Sequence, residues 1–161
     1  MEISFRPAGP DDEEFLYQLY CTTRRKEIEA MGLEPAQQEM FLRMQFVAQN
    51  LSYKAEFPDP VHNIILCEGR PAGRVMTMRM EKVDRYIDLA ILPEYQSLGI
   101  GTQIIKDLLD ETARAGLPAR LHVLKSSRAA QLYERLGFVT TDDDGVNYIM
   151  VWSRPSGEIE K

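Results

Sequence analysis

A chain of 161 residues with 44% hydrophobic side chains is long enough to close one core and suits a single domain, residues 1–161. Its formal net charge of −6 argues against a general nucleic-acid-binding surface and against binding to an anionic membrane, while leaving room for a local basic patch around an anion. No apolar run approaches the roughly 20 residues that span a bilayer, and the N-terminus MEISFRPAGPDDEE is opposite in character to a signal or transit peptide, so a cytoplasmic protein is expected. Cys21 and Cys67 stand apart without C-x-x-C spacing, which favours bystander thiols over a disulfide, a metal site or a nucleophile. With His62 and His122 the only histidines and no H-E-x-x-H string, no metal is expected.

In chain order, residues 2–6 alternate polar and apolar side chains and predict a strand. Gly9-Pro10-Asp11 then starts a helix, with Asp11 and Glu14 at capping-box spacing and an apolar stripe of Phe15, Leu16, Leu19 and Tyr20. A second helix is predicted over 35–53, where Met40, Met44, Val47 and Leu51 recur at helical spacing with Phe41 and Ala48 beside them; structural core is the favoured reading of that face, and lining of a substrate pocket by some of its side chains is the alternative. Residues 57–60 form a loop, and strands at 62–68 and 72–80 make a hairpin turned by Gly69-Arg70-Pro71. The charged stretch 81–85 is read as the turn into an apolar strand, 86–92, bounded by Pro93. A helix over 99–115 faces the sheet with Ile104, Ile105, Leu108 and Leu109, and Gly116 and Pro118 end it. A strand at 120–124, a helix at 126–136 ending at Gly137, and a closing hairpin of 138–141 and 146–152 across an acidic turn complete the order β-α-α-β-β-β-α-β-α-β-β. Beyond Ser153 the polar tail is expected to fray.

The stretch LAILPEYQSLGIGTQ, residues 89–103, joins the apolar strand to the following helix through a turn suited to an anion. Helix N-termini present unpaired N–H groups and a positive dipole end, and glycine lets a ligand approach the backbone. By itself a G-x-G at such a junction equally means only a turn. A Rossmann fingerprint needs a third glycine where Ile104 stands, and no Walker string exists in the chain. The remaining pattern is Q-x-x-G-x-G, and with LYERLGF at 132–138 it resembles the pyrophosphate-binding motif of the GNAT acetyltransferase superfamily.

That resemblance implies an α/β fold, a mixed central sheet of six to seven strands flanked by about four helices. It also implies an N-acetyltransferase that passes the acetyl group of acetyl-CoA directly to a primary amine, without a covalent enzyme intermediate. The pantetheine arm would pair with the central strand at Ile91 and Leu92, whose amides, left unpaired, would polarise the thioester carbonyl. The pyrophosphate would rest on the backbone N–H groups of Gln96, Ser97, Leu98, Gly99, Ile100 and Gly101, with Thr102 as a hydroxyl donor. Tyr133 matches the family tyrosine near the sulfur and would act as general acid; packing on the sheet is its alternative role. Ala129 and Ser126 belong to the same cofactor-binding stretch. Two departures stand out: Ser126 occupies a position where many members carry asparagine, and Gln96 replaces a common arginine.

A protonated amine must lose a proton before it attacks, which calls for a base. Asp88 is the first candidate, because a charge inside an apolar strand calls for an explanation, although it could equally point outward to a basic neighbour. His122, Glu27 and Glu29 are weaker options. The acceptor, a small molecule or a protein amine, is not legible, and a homodimer is compatible with the family. The rival class is a non-catalytic sensor of CoA or acyl-CoA on a GNAT-like fold.

Overall fold

The computed structural model describes residues 1–154. Strands β1 (Ile3–Pro7), β2 (Val61–Cys67), β3 (Arg70–Arg79), β4 (Asp84–Ile91), β5 (Ala119–Leu124), β6 (Val139–Asp143) and β7 (Asn147–Trp152) form one mixed sheet in the order β1-β2-β3-β4-β5-β7-β6. The helices are α1 (Glu13–Ala30), α2 (Pro35–Glu56), α3 (Ile100–Arg114) and α4 (Ala129–Arg135). This is the element order and the fold class expected from the sequence. The fraying expected of the tail falls on residues 155–161, outside the described residues. Among the described residues, no helix is long and apolar enough to cross a membrane, and no group of three or more His, Cys, Asp or Glu is placed to hold a metal ion.

The chain divides into two compact units, the first comprising Met1–Val75 and Leu89–Gln96. Its helical core is Tyr17, Tyr20 and Phe46, with Leu16, Cys21 and Leu42 packed against them. The Phe46 ring meets Tyr17 edge-on at 5.5 Å between centroids, a geometry that aromatic quadrupoles favour. Arg43 lies over Tyr17, 3.6 Å from the ring centroid, while it pairs with Glu39 and Glu14. The buried face of α2 is therefore the one bearing Phe46. Met40, Met44, Val47 and Leu51, expected in the core, are 66, 64, 52 and 62% exposed. Helical periodicity detects a stripe but not its direction, and α2 carries apolar residues on two opposite faces.

Two local expectations in this unit are also corrected. The N-cap position of α1 is Asp12, not Asp11, and its side chain does not cap α1: a short 3₁₀ turn, Pro10–Asp12, precedes the helix, and the Asp12 carboxylate accepts from the Gly9 N–H at the start of that turn at 2.8 Å and from Arg6 on both oxygens. The β2–β3 hairpin turns on Glu68-Gly69, both at positive φ (51° and 80°), so Arg70 and Pro71 already belong to β3. Two left-handed residues match the twist of the paired strands, which explains the position.

The Arg6 guanidinium, and then the Gly9 N–H, hold the Asp12 carboxyl down at about 2. A carboxylate with a depressed folded-state pKa contributes stability that is fully present above its unfolded value and is lost as pH falls through the folded one. Melting temperatures measured from about pH 4 down to about pH 2 should therefore fall more steeply for the wild type than for Asp12→Asn; parallel curves would remove the ion pair from the account.

The second unit comprises Met76–Asp88 and the described residues from Ser97. Here α3 buries Ile100, Ile104, Ile105, Leu109 and Thr112, and Leu108 is only half-buried. Strand β5 pairs in parallel with β4 and in antiparallel fashion with β7. Asp84 and Arg85, expected in a turn, are buried strand residues. Asp84 carries a polar cluster: Arg79 donates to both of its oxygens, Thr112 donates to it at 2.6 Å, and the Tyr86 hydroxyl shares a 2.7 Å hydrogen bond with Thr112. Buried polar groups of this kind are tolerated because each finds a partner.

Candidate active site

The strand-to-helix junction is built by residues with no freedom to continue the strand. Pro93 opens a 3₁₀ turn, Pro93–Tyr95, and Ser97 and Gly99 take left-handed conformations (φ 63° and 85°) before α3 begins at Ile100. Gln96, Ser97, Leu98 and Gly99 are exposed, Gly101 and Thr102 half-buried, and Ile100 is the buried anchor that fixes the first turn. Gly99 is the N-cap, and no side chain caps this 15-residue helix. Its first amides therefore lack intrahelical partners and point out of the helix end, where the dipole is positive. The residues present fit a pyrophosphate.

The Gln96 side chain does something the sequence did not indicate. Its Nε2 donates to the Ile91 carbonyl at 2.8 Å, clipping the turn to the end of β4. On β4 itself one expectation fails: the Leu92 N–H is not free but donates to the Ala72 carbonyl at 2.8 Å. Successive strand amides alternate sides, so with Leu92 turned toward β3 the N–H of Ile91 points the other way. The β4–β5 ladder runs only from Asp84↔Ala119 to Tyr86↔Leu121, while β4 continues to Ile91. Leu89, Ala90 and Ile91 are half-buried although apolar.

Gly73, a position sequence reasoning passed over, explains how β3 accommodates the end of β4. A Cβ there would lie 2.1 Å from the Ala90 carbonyl oxygen and 3.0 Å from the Ile91 Cα. Backbone rather than a flexible side chain is in the way, so Gly73→Ala should displace β4 at Ala90 and Ile91 and cost about 1–3 kcal/mol or more. A melt should show a drop of several degrees; an unchanged melting temperature would mean that β4 yields there without strain.

In the second unit, Tyr133 is buried on α4 with its ring 5.5 Å from that of Phe138. Burial, and after it the charge of Asp88, push its phenol well above the ordinary range, so it stays protonated at neutral pH. The structure thus brings Tyr133 and Asp88 within electrostatic reach of each other, with Asp88 half-buried. Of the other candidate bases, Glu27 pairs with Arg24 at 3.5 Å, and Glu29 and His122 are exposed. Ser126 is exposed, outside the helix predicted to start there. Ser127 delays α4, because its hydroxyl accepts the Ala129 N–H at 3.1 Å, a local bond that competes with the helix. The Ala129 amide is consequently committed within the protein. Among the described residues Cys21 and Cys67 are free thiols, half-buried and buried.

A family model described as an acetyltransferase (GNAT) domain matches residues 29–151. The chain belongs to the GNAT acetyltransferase family. Solved GNAT-type structures share its fold. The PaiA N-acetyltransferase from Thermoplasma acidophilum, solved in complex with coenzyme A, has a TM-score of 0.70 at 19% identity, over 96% of this chain and 100% of that one. An N-acetyltransferase from Escherichia coli whose named target is an alanine of a ribosomal protein has a TM-score of 0.60 at 19% identity, over 99% of this chain and 100% of its own. A spermidine N-acetyltransferase chimera from Vibrio cholerae and hSSAT has a TM-score of 0.60 at 19% identity, over 95% and 96%. At these identities the likeness to this GNAT chain is one of fold. No curated protein matches the sequence.

Proposed function

We propose that this chain is a single-domain, cytoplasmic N-acetyltransferase that uses acetyl-CoA and an amine acceptor. The observation that carries the reading is the uncapped N-terminus of α3 behind the exposed turn at 96–99, in a chain of the GNAT family. The amides from 97–101 would hold the pyrophosphate, with Thr102 at the first turn and Gln96 as the brace of that turn rather than a direct ligand. The Ile91 N–H, turned away from β3, would take the polarising role expected of the two amides, while Leu92 contributes its place in the strand. Ser126 and Ala129 would contact the cofactor by side chain or by shape, since the Ala129 N–H is already bonded. A relative solved with coenzyme A bound supports the choice of cofactor.

Acetyl-CoA supplies an activated acyl thioester. Asp88, directly or through water, would take a proton from the acceptor ammonium before attack; the C–N bond would then form as the C–S bond breaks, and the second nitrogen proton would leave to solvent. Tyr133, protonated for the reasons above, would donate its proton to the departing sulfur. Relatives named for spermidine and for a protein alanine support an amine as acceptor without selecting one. The assembly proposed is a homodimer.

The test is an acceptor panel with acetyl-CoA and a thiol readout. Amine-dependent release of free CoA, together with a melting temperature raised by acetyl-CoA, is the expected result, because a ligand that binds the native state stabilises it by mass action. A raised melt with no thiol release on any amine would make the chain a CoA sensor. No shift beside a positive control would remove the cofactor assignment.

A further inference from the structure

Four exposed apolar residues in line on one helix are unusual for a monomer surface, where contiguous apolar patches seldom exceed a few hundred Å². Met40, Met44, Val47 and Leu51 are separated by four, three and four residues. That is a strict a/d spacing, the narrow seam of a coiled coil rather than the broad stripe of a helix lying on a core. The opposite face of α2 already has its partner in α1 through Phe46. The seam is thus a second helix-docking face.

Its occupant follows from symmetry. The spacing reads the same in both directions about a point between Gln45 and Phe46, so a two-fold axis through that point, pairing α2 antiparallel with a second copy, sets Met40 on Leu51 of the partner subunit and Met44 on Val47 of the partner subunit. Every layer then joins an a position to a d position, and an isologous interface requires such self-complementarity. The flanks agree: Phe41 falls beside Ala48 of the partner subunit and Arg43 beside Asn50 of the partner subunit, so no like charges meet. Arg43 and Lys54 are the only basic residues of α2, too few for the Lys/Arg-rich polar face of a helix that lies on a membrane.

We infer that the Met40-Met44-Val47-Leu51 face of α2 is the dimer interface of this protein, with the two α2 helices antiparallel and centred between Gln45 and Phe46. The inference rests on the homodimer reading above but not on acetyl transfer. With 22 residues, α2 extends about 33 Å, so the seam and its flanks offer several hundred Å², toward the small end of the roughly 800 Å² per partner of a standard interface. Micromolar dissociation is expected, with dimer dominant at about 100 µM.

Light scattering on the full chain at that concentration should give twice the 18.5 kDa chain mass, and the double variant Met44→Glu/Val47→Glu should give the single mass with an unchanged circular dichroism spectrum. Both positions are exposed in the protomer, so the substitutions do not touch its core. As a second measurement independent of that variant, differently tagged Met44→Cys and Val47→Cys chains, mixed and mildly oxidised, should form the mixed disulfide in preference to either symmetric one, with wild type as the blank for Cys21 and Cys67. A wild-type chain of single mass overturns both the homodimer and this interface, whether or not it floats with phosphatidylcholine vesicles, and leaves the thiol assay to judge catalysis separately. A dimer that survives the double glutamate variant keeps the homodimer and overturns the α2 face. Mixed and symmetric disulfides in equal yield overturn the antiparallel register.

Discussion

Gly101→Glu should abolish measurable acetyl-CoA binding while leaving the fold intact. Gly101 lies in the first turn of α3, half-buried and in helical conformation, so a side chain is compatible with its backbone. Glutamate in the first helical turn is even locally favourable, because its charge complements the positive dipole end and it replaces the poorest helix former but proline. The same carboxylate would occupy the volume assigned to the pyrophosphate and repel its charge, so stability and binding should move in opposite directions. Gly101→Ala separates size from charge: it should raise the melting temperature and weaken binding far less. Titration calorimetry beside thermal melts reads both quantities. Wild-type affinity in a folded Gly101→Glu protein would place the anion elsewhere on the chain.

The second large effect expected is kinetic. Tyr133→Phe should lower turnover by up to about 10²-fold, the low end for one general acid, and leave acetyl-CoA affinity nearly unchanged. The ring packs on Phe138 in either case, so the mutation removes only a hydroxyl whose service is rendered as charge develops on sulfur. Burial and the Asp88 charge keep this phenol protonated through the neutral range, so its own titration does not shape the profile there. The leaving thiol does: with a pKa of roughly 8.5 if it behaves like cysteine, it needs less help as pH rises. The ratio of wild-type to mutant rate should therefore shrink between pH 7 and 9. A mutant with the wild-type rate at neutral pH, with chemistry limiting, would reduce Tyr133 to a packing residue and leave the Ile91 N–H and solvent to carry the step.

Local signals located what local chemistry determines. Proline at 93 and glycine at 99 marked the junction because each restricts or frees the backbone of its own residue. The misreadings that bear on the site and the core concern partners distant in sequence. Nothing near Leu92 announces that its N–H belongs to Ala72, and Gly73 looks like any strand glycine until the Ala90 carbonyl stands against it. Asp84 read as part of a charged turn because its partners, Arg79 and Thr112, are supplied by β3 and α3. The α2 seam was misread for the same reason: Met40 and Phe46 are equally apolar, and only the position of Tyr17 and Tyr20 decides which faces inward.

The hydrogen bond from Gln96 to the Ile91 carbonyl bears on when the loop loses its freedom. A phosphate loop held only by its ligand must be ordered at each encounter, and that entropy is subtracted from affinity each time. Here a neutral amide tethers the loop to the strand it follows, so most of that loss is taken once, when the chain folds. Gln96 carries no charge, so the tether adds no long-range attraction; if the turn holds the pyrophosphate proposed for it, it does so as a loop already shaped.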